Sequence, residues 1–178
     1  MFLPKGALIS GDAGHNCNPD KGATGLLSEE GCTKNIWNLI MKKLENLGYR
    51  TEDCTPWNIE FNSIGSSLKY RVKKANNSKS IIHLSIHFNA EDLEGVRCFV
   101  GDFKWDAEKI ATQICEEISN LGFKNNGVKN GEVYMLRYTD MPCILIECAS
   151  INAKEDIEFY NEENIANAIV KAIMEFAN

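Results

Sequence analysis

Four residues of this 178-residue chain have the types and the placement for metal-assisted chemistry: His15, Glu29, His87 and Glu147. Only three histidines occur, His15, His83 and His87. His15 lies in Ser10-Gly11-Asp12-Ala13-Gly14-His15-Asn16, just past a strand-like segment, and His87 in Ser85-Ile86-His87-Phe88-Asn89-Ala90, at the end of another. Sites in open α/β sheets form outside the carboxyl ends of the strands, and imidazole is a preferred zinc ligand. Two such histidines can therefore converge on one ion, although either alone reads better as a structural side chain. His83 precedes His87 by four residues, which in a strand is a span of about 13 Å. That is too far for shared ligation, so His83 reads as packing.

A third ligand has two adjacent candidates, Glu29 and Glu30. Steps of 7, 11 and 18 residues from Glu29 reach Ile36, Ile40 and Leu47. At 100° per residue all lie within roughly 20° of one line. Glu29 thus continues the apolar stripe of its helix, whereas Glu30 is rotated about 100° toward the polar side. A carboxylate on a buried stripe is costly unless it is paired or metal-bound. Both glutamates also suit a helix N-terminus, which accounts for Glu30 better than for Glu29. Glu147 interrupts the apolar run Cys143-Ile144-Leu145-Ile146-Glu147-Cys148-Ala149. A carboxylate there is paired, protonated or functional, and beside an activated water it would act as general base.

These residues need a scaffold, and apolar periodicity predicts one. Ala7–Ser10 reads as a short buried strand, followed by a polar, Gly-rich loop from Gly11 to Gly25. Ser28 is the expected N-cap of a helix to about Leu47, closed by Gly48. Residues 49–53 read as a strand, Ser66–Asn76 as a helix and Ser80–His87 as a central strand buried on both faces. Val96–Val100 reads as a strand, Asp106–Leu121 as a helix, Glu132–Leu136 as a short strand and Cys143–Cys148 as a buried strand. Glu162–Phe176 is an amphipathic helix with Ile165, Ile169, Ile173 and Phe176 on one stripe. Alternating strands and helices predict an α/β fold: a mainly parallel twisted sheet of about six strands with helices on both faces.

Composition narrows the class. With 44% hydrophobic and 25% charged residues, the chain has globular proportions, and residues 1–178 read as one domain with no second module. A net charge of −6 argues against nucleic acid. The densest basic stretch, Lys69-Tyr70-Arg71-Val72-Lys73-Lys74, reads as a solvated helix face. No apolar run approaches the ~20 residues of a membrane span. The start, Met1 to Gly6, lacks the marks of a secretory signal, which predicts either synthesis in the cytoplasm or a domain taken from a longer chain. The seven cysteines, an odd number without a CxxC pair, read as reduced and mostly buried.

Together these segments resemble the zinc-dependent N-acetylmuramoyl-L-alanine amidases of the type called amidase-3. The resemblance rests on Gly14-His15 with Gly22-Ala23-Thr24-Gly25 and on Glu29 standing nineteen residues before Gly48. It also rests on Ser85-Ile86-His87-Phe88-Asn89-Ala90, and on Met141-Pro142 leading through Glu147 to Asn152 and Asp156. It departs from the family at Asn16-Cys17-Asn18-Pro19-Asp20, where many members are glycine-rich, and at Cys148-Ala149, which replaces a glycine-bearing pair. The resemblance implies a Zn2+ cofactor held by His15, Glu29 and His87, with Glu147 catalytic. The implied substrate is peptidoglycan, cut between N-acetylmuramic acid and L-alanine. The nearest alternatives are a zinc peptidase acting on stem peptides and a non-catalytic wall-binding module. Asn89 is placed to donate to substrate or to make a structural bond, and Arg137 to meet peptide carboxylates or a surface partner. The expected setting is a phage endolysin or bacterial autolysin, monomeric as a domain, made in the cytoplasm and acting on the wall.

Overall fold

A computed structural model describes residues 3–91, 93–101 and 107–177. Its centre is a six-stranded sheet in the order β2-β1-β3-β6-β4-β5. The strands are β1 (Leu8–Ala13), β2 (Arg50–Asp53), β3 (Ile82–Asn89), β4 (Val96–Val100), β5 (Asn125–Asn130) and β6 (Cys143–Ser150). The helices are α1 (Glu29–Asn46), α2 (Ile64–Ser78), α3 (Ala107–Ser119), α4 (Tyr134–Tyr138), α5 (Lys154–Phe159) and α6 (Glu162–Met174). Every neighbouring pair of strands is parallel except β4 and β6. The mainly parallel α/β sheet expected from the sequence is the one observed.

The central strands β3 and β6 are apolar almost throughout because both of their faces are covered. Alternate residues separate two layers. Ile9, Leu84, Ile86, Val96, Cys98, Ile144 and Ile146 face α1, α3 and α6 in the main core. The stripe Ile165, Ile169 and Ile173 of α6 closes that layer with no exposure. On the opposite face Cys143 and Leu145 meet Val72 of α2 and Met135 and Leu136 of α4. All seven cysteines are free and buried. No helix among the described residues is long and apolar enough to cross a membrane.

Three expectations need correction. Glu132–Leu136 is not a strand: Tyr134–Tyr138 is the short helix α4, in which the consecutive residues Met135 and Leu136 are both buried. Two buried neighbours are compatible with a strand covered on both faces as well as with a helix, so apolar content here does not distinguish the two. The strand there is instead β5, Asn-Asn-Gly-Val-Lys-Asn, a polar edge strand with no apolar alternation to reveal it. Leu47 leaves the α1 stripe, 49% exposed at the C-cap, and Leu44 takes the buried place. Arg71, read as part of a solvated face, is 1% exposed beneath β1. Met1, Phe2 and Asp106 lie outside the described residues.

Candidate metal centre

The chain leaves β1 through a turn in which His15 and Asn16 take left-handed backbone angles, φ 62° and 64°. That conformation is uncommon for residues other than glycine, and a buried cation holds it in place. Arg71 Nη1 donates to Asp12 Oδ1 at 2.7 Å and to the Ala13 carbonyl at 2.8 Å, and Nη2 donates to the His15 carbonyl. Asp12 also pairs with His83 Nε2 at 2.9 Å and accepts from Ser85 Oγ at 3.3 Å. Burial alone would raise the Asp12 carboxyl, but the Arg71 cation and the His83 bond hold it well below the usual carboxylate range. His83, whose Nδ1 lies 2.9 Å from Ser10 Oγ, is thus committed to a polar layer under the sheet.

His15 is oriented by a partner the sequence did not reveal. Its Nδ1 lies 2.6 Å from Asp20 Oδ1, and Asp20 Oδ2 accepts from Ser67 Oγ of α2 at 2.9 Å. Donating through Nδ1 to a carboxylate fixes the tautomer and leaves Nε2 free to ligate. That nitrogen lies 3.2 Å from Glu29 Oε1. The same oxygen is 3.3 Å from His87 Nδ1, and the imidazole rings stand edge to face at 5.0 Å. Glu29 is 4% exposed and steadied by backbone donors, Phe88 N–H to Oε1 at 3.2 Å and Ala23 N–H to Oε2 at 3.0 Å. Glu30 turns away and accepts from the Asn16 N–H at 3.1 Å. The structure brings His15, Glu29 and His87 together, with one ligand atom from each within 4.8 Å of the others.

These distances suit a cation. Ligands at about 2.0–2.1 Å from a tetrahedral ion lie about 3.3 Å apart, and the two nitrogen–oxygen separations are 3.2 and 3.3 Å. The electrostatics agree. Burial opposes charge on His15, but hydrogen bonds to Asp20 and Glu29 outweigh it and push the imidazole up to about 10. Burial would likewise raise Glu29, yet its bonds to His15 and His87 hold it far below the usual carboxylate range. The Asp20 and Glu29 carboxylates beside the two imidazoles make this a pocket that favours positive charge.

Glu147 stands opposite His87 in the β3–β6 register. Its Oε2 is buried without a hydrogen-bond partner. Burial pushes its carboxyl up, and the neighbouring His87 only partly offsets this. A carboxyl beside a metal site with one oxygen unpartnered can exchange protons with a bound reactant. A cavity of about 220 Å3 opens on His15 and His87, walled by Ile64 and Leu68 of α2 and by Val133, Tyr134 and Met135.

The remaining expected site residues are placed differently. Asn89 is buried and spends its side chain on its own loop, with Nδ2 donating to the Leu93 carbonyl at 3.3 Å and Oδ1 accepting from Glu91 N–H at 2.9 Å. Arg137 is exposed on α4 over the Tyr138 ring and lines a different cavity, with Gly131 and Pro142, that contains none of the four site residues.

A family model described as N-acetylmuramoyl-L-alanine amidase matches residues 9–178. The chain is 32% identical over 160 residues to N-acetylmuramoyl-L-alanine amidase LytC of Bacillus subtilis, covering 85% of this chain and 31% of LytC. It is 33% identical over 172 residues to an uncharacterized protein of Clostridium perfringens, covering 91% of this chain and 50% of that protein. It therefore spans half or less of the length of these relatives. The fold matches the catalytic domain of CD27L endolysin targeting Clostridia difficile, with a TM-score of 0.84 at 21% identity over 95% and 97% of the two chains. It also matches N-acetylmuramoyl-L-alanine amidase AmiC2 of Nostoc punctiforme, with a TM-score of 0.81 at 25% identity over 96% of each.

Proposed function

The chain belongs to the N-acetylmuramoyl-L-alanine amidase family, and from that premise we propose that it cuts peptidoglycan between N-acetylmuramic acid and L-alanine. In this reading His15, Glu29 and His87 hold zinc and Glu147 is the general base. The observation that carries it is the convergence of the three ligand residues, with Glu147 opposite His87 and one of its oxygens unpartnered. Zinc bound there supplies a Lewis acid that acidifies water and polarises the amide carbonyl.

The chain's own groups do the rest. Glu147 takes a proton from the attacking water as its oxygen bonds to the amide carbon. It returns a proton to the departing nitrogen as the carbon–nitrogen bond breaks. The products are the lactyl carboxylate of the sugar and a free L-alanine amine. Asp20 and the Arg71 clamp keep His15 in one tautomer and one backbone state, so no reorganisation is needed during reaction. The apolar wall from α2 and α4 limits water at the cavity. The setting we propose is wall lysis, by an endolysin or an autolysin. Adhesion of a chain with net charge −6 to an anionic wall is unfavourable without help. A separate wall-binding module therefore fits this reading.

Digestion of purified walls tests it. An amidase frees L-alanine amino termini and leaves glycan strands intact. New termini at other stem residues would instead make the protein a peptidase, and zinc-loaded protein that binds walls without releasing termini would be a binding module.

A further inference from the structure

The row of residues carrying Glu147 continues one strand further. β4 runs antiparallel to β6, and Arg97 stands opposite Glu147, as His87 does on the other side. Directly opposed residues project to the same face, so His87, Glu147 and Arg97 form a row across three strands. Arg97 is half-buried, and among the described residues it makes no ion pair, while its Nε has no hydrogen-bond partner. Its guanidinium lies over the Phe99 ring, Cζ 4.7 Å from the centroid. Stacking fixes the plane of the group, and the Nε donor in that plane has no partner.

A buried donor without an acceptor is costly, and so is a buried acceptor without a donor. Arg97 Nε and Glu147 Oε2 are such a pair, neighbours in register and not bonded to each other. A third group placed between them would relieve both. The reaction supplies one, because the departing nitrogen must lie beside the carboxyl that protonates it. A peptide chain leading away from that nitrogen, on the side of Glu147 remote from His87, runs over β4. It presents carbonyl oxygens and, in a wall stem peptide, a carboxylate. Glu29, Asp20 and Glu147 would repel that carboxylate, and Arg97 is the cation of this row.

We propose that Arg97 is a substrate-positioning residue whose guanidinium takes a carbonyl or carboxylate oxygen of the stem peptide on the departing-amine side of the cut bond. This rests on the amidase reading of Glu147. The test uses two soluble substrates, muramoyl-L-alanyl-D-glutamate with its α-carboxylate free and the same compound with that group amidated. Turnover is measured with wild type, Arg97→Met and Arg97→Lys. Binding of both compounds is measured by calorimetry in the non-cleaving Glu147→Gln background, with and without Arg97→Met.

Loss of a charge-assisted bond of about 1.5–3 kcal/mol corresponds to about a 10- to 150-fold change. Arg97→Met is expected to raise KM and weaken binding within that range, with kcat changing less and the melting temperature unchanged. Arg97→Lys keeps the charge without the planar fork and recovers part of the loss. A loss confined to the free-carboxylate compound assigns the contact to the carboxylate, and an equal loss on both assigns it to a carbonyl. Unchanged KM and unchanged binding in Arg97→Met overturn the proposal. If that variant does not fold, a wild-type KM in Arg97→Lys overturns it. Wild-type protein that cleaves neither compound overturns the amidase reading instead, and the calorimetric comparison still reports on Arg97.

Discussion

Gly14→Ala isolates the packing of the metal centre from its chemistry. A Cβ at position 14 would lie 2.4 Å from His87 Cε1, 2.5 Å from Nε2 and 2.7 Å from Nδ1. Ordinary contacts between non-bonded carbons begin at about 3.5 Å, so one partner must move by about 1 Å. The turn is poorly able to yield, because Gly14 N–H donates to the Ile86 carbonyl at 2.8 Å and Arg71 grips the carbonyls on either side. The imidazole must therefore leave its present place beside Glu29. A misplacement of about 1 Å at a reacting centre costs about 100-fold in rate. The expected result is a fall of about that size in kcat/KM on a soluble muramoyl peptide, with zinc lost to a chelator that leaves wild type loaded. Gly31→Ala on α1 is the control, since its added Cβ would meet only Ser28, at 3.8 Å or beyond. Gly14→Ala with wild-type turnover and wild-type zinc retention would refute this account of the packing.

Further outcomes follow from the support beneath the site. Arg71→Met leaves the Asp12 carboxylate buried without its cation, which costs about 3–5 kcal/mol and is read as a drop in denaturation midpoint. Asp12 has a folded-state pKa depressed below its unfolded value. The stability it contributes is complete above the unfolded carboxylate range near pH 4 and is lost as pH falls below it. Urea midpoints measured downward from pH 5 should therefore fall more steeply in wild type than in Asp12→Asn. Asp20→Asn removes the charge that orients His15 Nδ1 and should weaken zinc by about 10- to 100-fold, measured by competition with a chelator, at an unchanged melting temperature.

Legibility in the sequence followed the range of the interaction. The buried strands β3 and β6 and the helices α1 and α6 announce themselves by local periodicity. The same rotation singled out Glu29, which lies buried between the two imidazoles while Glu30 faces Asn16. What stayed hidden depends on contacts between distant segments. Asp20 meets His15 inside a loop whose shape no periodicity encodes. Arg71 looks like one of several basic residues on a helix until α2 packs under β1 and buries it against Asp12. Arg97 gains its place only because β4 enters antiparallel beside β6, a pairing that local pattern does not specify. The polar edge strand β5 and the short helix α4 exchange their signals for the same reason. Apolar content in Tyr-Met-Leu-Arg-Tyr reports burial, not the geometry of burial.

Zinc content and hydrolysis measured side by side in four variants test the central claim most directly. With His15, Glu29 and His87 as ligands and Glu147 as base, Glu147→Ala keeps wild-type zinc and loses hydrolysis, whereas Glu29→Ala loses both. Glu30→Ala keeps both, and His87→Ala loses both. Zinc lost from Glu30→Ala but retained in Glu29→Ala, or a Glu147→Ala protein that still cleaves at the wild-type rate, would contradict it.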